Sequence, residues 1–412
     1  MAASARTRRA IPWAVLVLLL ALAAGGAAIG VAMAGSTTVS AIAPLVSVVQ
    51  GDTVPTVTSL GPTSFVDPGP YAAGEATLTL PYDGAPVEIW YPAPHSSARG
   101  HAQAVYNVAT WLPASLKKTL PPGFGVRYRT GAYRGLPVAT GRFPLVLFSH
   151  GFAGFRDQST FLTSRLATWG FVVAAPDYLA TDLTAVLSGH LSVTTTADLK
   201  EGEAVLALMA HENAPGASPW SGHLDMSKVA AIGHSLGGEL SEQLASVDPV
   251  VKTFVGMAGA SVGGFATSLP GALGKVPDKP GMLMVGTKDQ VASPAGIARA
   301  YHDMLPPKRL VTLQGAGHLV FSDICQLAPG EGGLLGVAAA VHITVPPALV
   351  PLASDGCQPT DLPVTKGWPV IRQAVTAQLR LAFGFDSTSA GLDGLRQAFP
   401  GVVAVNESVG TP

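Results

Sequence analysis

The sequence predicts an α/β protein built on a mostly parallel, doubly wound sheet with helices on both faces. Three observations carry this. Short runs such as FPLVLFSHG, GFVVAAPD and KVAAIGHS are apolar almost throughout and end in small or polar residues, as strands buried on both faces do. Segments with helical spacing alternate with them, which is the pattern of a sheet wound by crossover helices. With 412 residues, 48% of them hydrophobic, the chain can fill one large core.

Taken in order, ATLTL and PVEIWYPA are alternating runs around the PYDGA turn and predict an opening hairpin. A stretch broken by proline and glycine follows, up to Gly141. Then come strand FPLVLFSHG, helix FRDQSTFLTSRLATWG, strand GFVVAAPD, helix ADLKEGEAVLALMAHE, strand KVAAIGHS and helix LGGELSEQLASV. Strands VKTFVGMAG and GMLMVGTKD, helix SPAGIARAYHDML and strand RLVTLQGAGH complete the alternation, with a last helix near WPVIRQAVTAQLRLAF. Groups that do chemistry in such sheets gather at the carboxyl ends of strands.

Charge narrows the function. Only 12% of residues are charged, 25 basic against 26 acidic, so no cationic surface is available for nucleic acid. The glycines and prolines are spread between apolar runs, without low complexity or a fixed repeat. At the N-terminus, Arg6, Arg8 and Arg9 precede IPWAVLVLLLALAAGGAAIGVAMA, which closes on the A-x-A of Ala32, Met33 and Ala34. That is the three-part layout of a secretory signal. The same residues 11–34 would make a helix of roughly 36 Å, long enough to cross a bilayer, so an uncleaved membrane anchor is the alternative. Either way the rest of the chain is expected to be exported. In an oxidising compartment the two cysteines, Cys325 and Cys357, predict a disulfide.

Two stretches match G-x-S-x-G, GHSLG around Ser235 and GASVG around Ser261. Ser235 lies where a strand ends and a helix of good formers begins, so its hydroxyl is expected at a tight turn flanked by Gly233 and Gly237. Ser261 also follows a strand, but the VGGFATSLPGALG after it cannot sustain a helix. Ser235 is therefore the expected nucleophile. A serine needs a base, and the base an orienting acid. Of Asp248, Asp278, Asp289 and Asp303, only Asp289 comes directly off a buried strand. His302 sits in a helix and His342 in an apolar loop, whereas His318 follows the last strand of the alternation in a glycine-rich turn. The order serine, acid, histidine is the one hydrolases on such sheets use. Backbone N–H donors for an oxyanion are expected from Leu236, after the nucleophile, and from Phe152, in the loop after LVLFSHG. His150 beside it is expected to tie that loop down.

Together, FSHGFAGFRDQSTFLTSRLATWGFVVAAPD, GHSLGG, and Asp289 followed by GAGHLVFSD resemble the plasma-type platelet-activating-factor acetylhydrolases and the related dienelactone-hydrolase-like and cutinase-like esterases. The resemblance covers roughly residues 70–325 and the C-terminal helix. It implies the α/β-hydrolase fold, a serine esterase with triad Ser235, Asp289 and His318, and oxyanion donors Phe152 and Leu236. Dienelactone hydrolases proper use a cysteine nucleophile, where this chain has serine.

The chain departs from that pattern between Gln326 and Gly356. LLGVAAAVHITVPPALVPLA is long, apolar and almost uncharged, unlike an exposed loop. Pinned by Cys325 and Cys357, it is either a lid over the acyl pocket or a flap covering the sheet edge. The expected organisation is 1–34 as signal peptide or anchor, 35–70 as linker or extension, 71–384 as the hydrolase domain with insert 326–356, and 385–412 as a tail. No metal or cofactor motif is present, so none is expected. The expected function is an exported carboxylic ester hydrolase working through an acyl-enzyme on a small-molecule or lipid ester, short-chain or phospholipid-type. The alternatives are a lipase or polyester hydrolase, and a non-catalytic binding protein on the same fold. Any membrane association is expected through the N-terminal segment.

Overall fold

A computed structural model describes residues 46–47, 54–190, 195–261 and 276–410. The N-terminal segment 1–34 and most of the stretch after Ser261 lie outside the described residues. Among the described residues no helix is long and apolar enough to cross a membrane.

The main sheet contains β1 (Ala72–Thr79), β2 (Pro86–Ala93), β3 (Tyr133–Arg134), β4 (Phe143–Ser149), β5 (Val172–Pro176), β6 (Leu224–His234), β7 (Val251–Met257), β8 (Gly281–Gly286), β9 (Lys308–Leu313) and β10 (Val403–Val409). Their order across the sheet is β10, β9, β8, β7, β6, β4, β5, β2, β1, β3. The six strands from β9 to β5 pair parallel, while β10 runs antiparallel to β9, and β2 antiparallel to β5 and β1. The principal helices are α1 (Thr160–Thr168), α2 (Leu183–Leu187), α3 (Thr195–Glu212), α4 (Leu236–Val247), α5 (Pro294–Asp303), α6 (Gly333–Ala340), α7 (Val350–Ser354) and α8 (Val364–Ala382).

The central strands read as continuous apolar runs because both their faces are covered. Along β4, Val146 and Phe148 join a core that includes Leu162 and Leu166 of α1 and Ile371 and Val375 of α8. Leu145 and Leu147 point the other way, into a core with Val205 and Met209 of α3, Leu240 and Leu244 of α4 and Ile297 of α5. Each such side chain, removed from water, contributes about 1.5–3 kcal/mol. A polar substitution anywhere in β4 would therefore face a core on one side or the other.

From β4 the chain passes outward to β5 and then returns across the sheet to β6, which pairs with β4 on its other side. The strand order thus reverses between β4 and β6, and open α/β sheets put their ligands at the carboxyl ends of strands at such a point.

The structure corrects three sequence expectations. Residues 54–70 are docked, not a loose linker: Phe65 is fully buried against Trp169, its N–H donates to Gln373 Oε1 at 2.6 Å, and Arg380 Nη1 donates to the Pro55 carbonyl. Residues 385–410, expected as part of a tail, carry β10. The helix expected from Phe155 begins only at Thr160, since the side chains before it are engaged elsewhere. Arg156 pairs with Glu88 and Asp177, and Gln158 reaches His234.

Candidate active site

Ser235 stands between the end of β6 and the start of α4 with φ 56° and ψ −123°. A non-glycine residue in that region is strained, and the surrounding packing has to enforce it. A Cβ on Gly233 would run into the Gly237 carbonyl, and one on Gly237 into the Ser149 carbonyl, so neither position admits a larger residue. The Ser235 N–H donates to the Met257 carbonyl at 2.8 Å, which holds the turn to β7. Its side chain is only partly buried, and its hydroxyl makes no hydrogen bond to a described residue.

Asp289 follows β8 and His318 follows β9, and the two meet. His318 Nδ1 lies 3.1 and 3.0 Å from the two Asp289 carboxylate oxygens. Asp289 Oδ1 also accepts the N–H groups of Val291 (2.9 Å) and Ala292 (2.7 Å), so the carboxylate cannot swing away. Both residues are buried. With Nδ1–H donated to the acid, the lone pair of His318 sits on Nε2, as a general base requires.

The backbone N–H groups of Phe152 and Leu236 find no acceptor among the described residues. The loop of Phe152 lies against the serine: a Cβ on Gly151 would sit 3.0 Å from Ser235 Cβ. His150 is occupied at both ring nitrogens, Nε2 accepting the Tyr178 N–H at 3.0 Å and Nδ1 donating to the Gly151 carbonyl at 2.8 Å. Burial holds its pKa below the usual range, and it ties the loop to β5 rather than facing a substrate.

The remaining candidates are placed elsewhere. Ser261 is buried with its N–H on Glu242 Oε2 (2.6 Å). Asp248 terminates α4, Asp278 is exposed in a turn, Asp303 and His302 lie on the exposed side of α5, and His342 is exposed in the insert.

Three positioning groups were given no role from the sequence. Gln158 Nε2 donates to His234 Nδ1 at 3.1 Å, and His234 Nε2 then donates to the His318 carbonyl at 3.1 Å. The two histidine rings lie 4.6 Å apart. Burial first, and then the neighbouring His318, hold the His234 pKa well below its ordinary value, so it stays neutral. Asp355 does similar work from the insert: its Oδ2 accepts the N–H of Gln290 (2.8 Å) and of His318 (3.2 Å), joining the loops of acid and base. His234 lies inside the G-x-S-x-G signature and so was visible, but nothing in sequence tells that Gln158 and Asp355 converge on it and on His318.

A disulfide joins Cys325 to Cys357 at the two ends of the insert. Between them α6 and α7 wall an apolar cavity of about 140 Å³, whose lining includes Val126, Phe155, Leu183, Ile324, Leu334 and Val337. Ala153, next to Phe152, completes its wall on the side of the serine loop.

A profile of the chlorophyllase family matches residues 133–253, which span β3 to β7. The bis(hydroxyethyl) terephthalate hydrolase of Streptomyces coelicolor is 28% identical over 166 residues, covering 40% of this chain and 46% of that protein. The platelet-activating factor acetylhydrolase of Cavia porcellus is 28% identical over 238 residues, covering 47% of this chain and 54% of that protein. The chain thus spans about half the length of the curated relatives it matches. Among solved structures, a ferulic acid esterase from Streptomyces cinnamoneus superimposes with a TM-score of 0.56 at 20% identity, over 82% of this chain and 96% of that one. The chain has the α/β-hydrolase fold. Within that fold Ser235, Asp289 and His318 stand after β6, β8 and β9, on neighbouring loops at one end of the sheet.

Proposed function

We propose that this protein is an exported serine hydrolase that cleaves carboxylic esters through an acyl-enzyme. The observation that carries the reading is the His318 ring held by buried Asp289 and lying 4.6 Å from the ring of His234, which directly precedes a serine in a strained strand-to-helix turn. Names of the relatives, a terephthalate hydrolase and an acetylhydrolase, support ester hydrolysis as the chemistry. The disulfide fits an oxidising compartment and so supports export.

His318 Nε2 takes the Ser235 proton as the hydroxyl oxygen attacks the ester carbonyl, and Asp289 stabilises the imidazolium. The N–H groups of Phe152 and Leu236 receive the negative charge that develops on the carbonyl oxygen. Collapse expels the alcohol with the proton from His318, leaving the acyl group on Ser235. Water activated by the same histidine then releases the acid and restores the hydroxyl. His234 and Asp355 keep the His318 backbone in place throughout, and Gln158 sets the tautomer of His234.

The apolar cavity beside the Phe152 loop suits an uncharged acyl or aromatic group. A short-chain or phospholipid-type acyl ester is the substrate we favour. The insert forming its wall favours one second reading, a lipase or polyester hydrolase, in which α6 and α7 move to admit a longer chain.

The test is hydrolysis of p-nitrophenyl esters from acetate to palmitate. We expect Ser235→Ala to lower kcat by on the order of 10⁴-fold or more, and Ser261→Ala to leave it unchanged. A wild-type protein inert on every ester would move the non-catalytic binding role to the front.

A further inference from the structure

The described residues form a second, larger concavity, and it is more polar than the first. This cleft of about 540 Å³ shares no lining residue with the apolar cavity and contains none of Ser235, Asp289 and His318. One face of α1 forms part of it through Thr160, Ser164, Arg165 and Thr168, and α8 adds Trp368 and Arg372 one turn apart. No aspartate or glutamate lines it, while Arg99 and Arg129 stand exposed at its rim.

Arg165 and Arg372 are the unusual feature. Neither forms an ion pair among the described residues, and Arg165 Nη1 is wholly enclosed without a hydrogen-bond acceptor. Arg372 donates from Nε to the Phe161 carbonyl at 3.0 Å. Its guanidinium carbon lies 5.7 Å from the Trp368 ring centre and 5.8 Å from that of Phe161, an arrangement that fixes the fork. Asp67 acts on both arginines, and Asp323 on Arg372, only from beyond ion-pair distance. Asp323 is itself bonded to Thr160 and Phe161. Burial, and then the charge of Arg372, push the Arg165 pKa down to about 9, and burial also lowers that of Arg372. Two half-buried guanidinium groups that repel each other, with the nearest carboxylates beyond ion-pair distance, are only partly compensated.

We propose that the cleft binds a small molecule bearing an oxyanion, a phosphate monoester or a carboxylate, gripped by Arg165 and Arg372. A planar guanidinium fork matches either group with two parallel hydrogen bonds. The bound anion supplies the missing counter-charge, and the rim arginines draw it in. This site is independent of ester hydrolysis, so it stands or falls separately from the function proposed for Ser235.

Calorimetric titration of the full chain with inorganic phosphate, and separately with citrate, at constant ionic strength tests it. The expected result is saturable binding of at least one anion, weakened roughly tenfold or more in Arg165→Gln and in Arg372→Gln. The phosphate and citrate arms tell which oxyanion is preferred. Thermal melts in chloride buffer separate ligand binding from a structural role. Arg165→Gln should melt no lower than wild type there, because it removes a half-buried charge that has no ion pair among the described residues and is repelled by Arg372, yet lose the stabilisation that the anion gives wild type. No saturable binding of either anion, binding unchanged in both variants, or a lower melting point of Arg165→Gln in chloride would overturn the proposal.

Discussion

His234 illustrates how one side chain can fix another without touching substrate. Because Gln158 donates to its Nδ1, the ring must carry its proton on Nε2, and that proton goes to the His318 carbonyl. Gln158→Ala removes the donor, frees the tautomer and lets the base shift. We expect kcat to fall roughly ten- to hundred-fold while KM stays within about twofold, measured on a short p-nitrophenyl ester. Fall of kcat and rise of KM together would point to a general loss of fold instead. The proposed triad residues could be picked out because each lies in the loop or turn that follows a readable strand. Their supports were not, since Gln158 and His234 are 76 positions apart and meet only once β4 and β6 lie side by side. Asp355 was hidden for the same reason, 37 positions beyond the His318 N–H that it accepts.

At the level of elements, the insert is a chain segment with three attachments: the disulfide at its base, the Asp355 bridge, and the apolar side chains of α6 and α7 over the cavity. A loop closed over a separation of 32 residues is worth about 3 to 4 kcal/mol in the chain-entropy account. Replacing both cysteines by serine loosens the wall without altering Ser235, Asp289 or His318. We therefore expect a lower melting temperature and a changed ratio of palmitate to acetate hydrolysis, read in parallel assays, with the acetate rate within a few-fold of wild type. An unchanged ratio would mean that the acyl chain does not reach this wall. Most strands and helices could be read from periodicity because burial on both faces leaves no room for polar interruption. The start of α1 could not, because Arg156 and Gln158 have helix-compatible spacing but are claimed by partners far along the chain. Segments 54–70 and 385–410 were misread for a related reason. Short polar stretches give no local signal that a single residue such as Phe65 anchors them in a core.

At the scale of the molecule, Asp198 and Glu201 lie buried with no ion pair among the described residues. Burial raises Asp198 to about 7 and Glu201 to about 9, with neighbouring acids adding to both. In the unfolded chain such groups lose their protons near pH 4, whereas in the folded protein they keep them until these raised values. The stability they contribute is whole below about pH 4 and drains away as pH rises through 7 and then 9. Glu201→Gln should match wild type near pH 5 and melt higher at pH 8 to 9, by roughly 1–3 °C, in thermal scans across that range. An equal shift at both pH values would show that the side chain acts through packing and not through its proton. The parallel order of the central strands has its own consequence at the far side of the sheet. β9 reads KRLVTL and is covered along its length by β10, while the opposite border is β3, only two residues long. The outer edge of β9 is therefore taken, and that border of the sheet passes to β10. A chain ending before Val403 would lose that cover, and β9, with its alternate residues already committed to the core, would become an open invitation to self-association in the form of added strands.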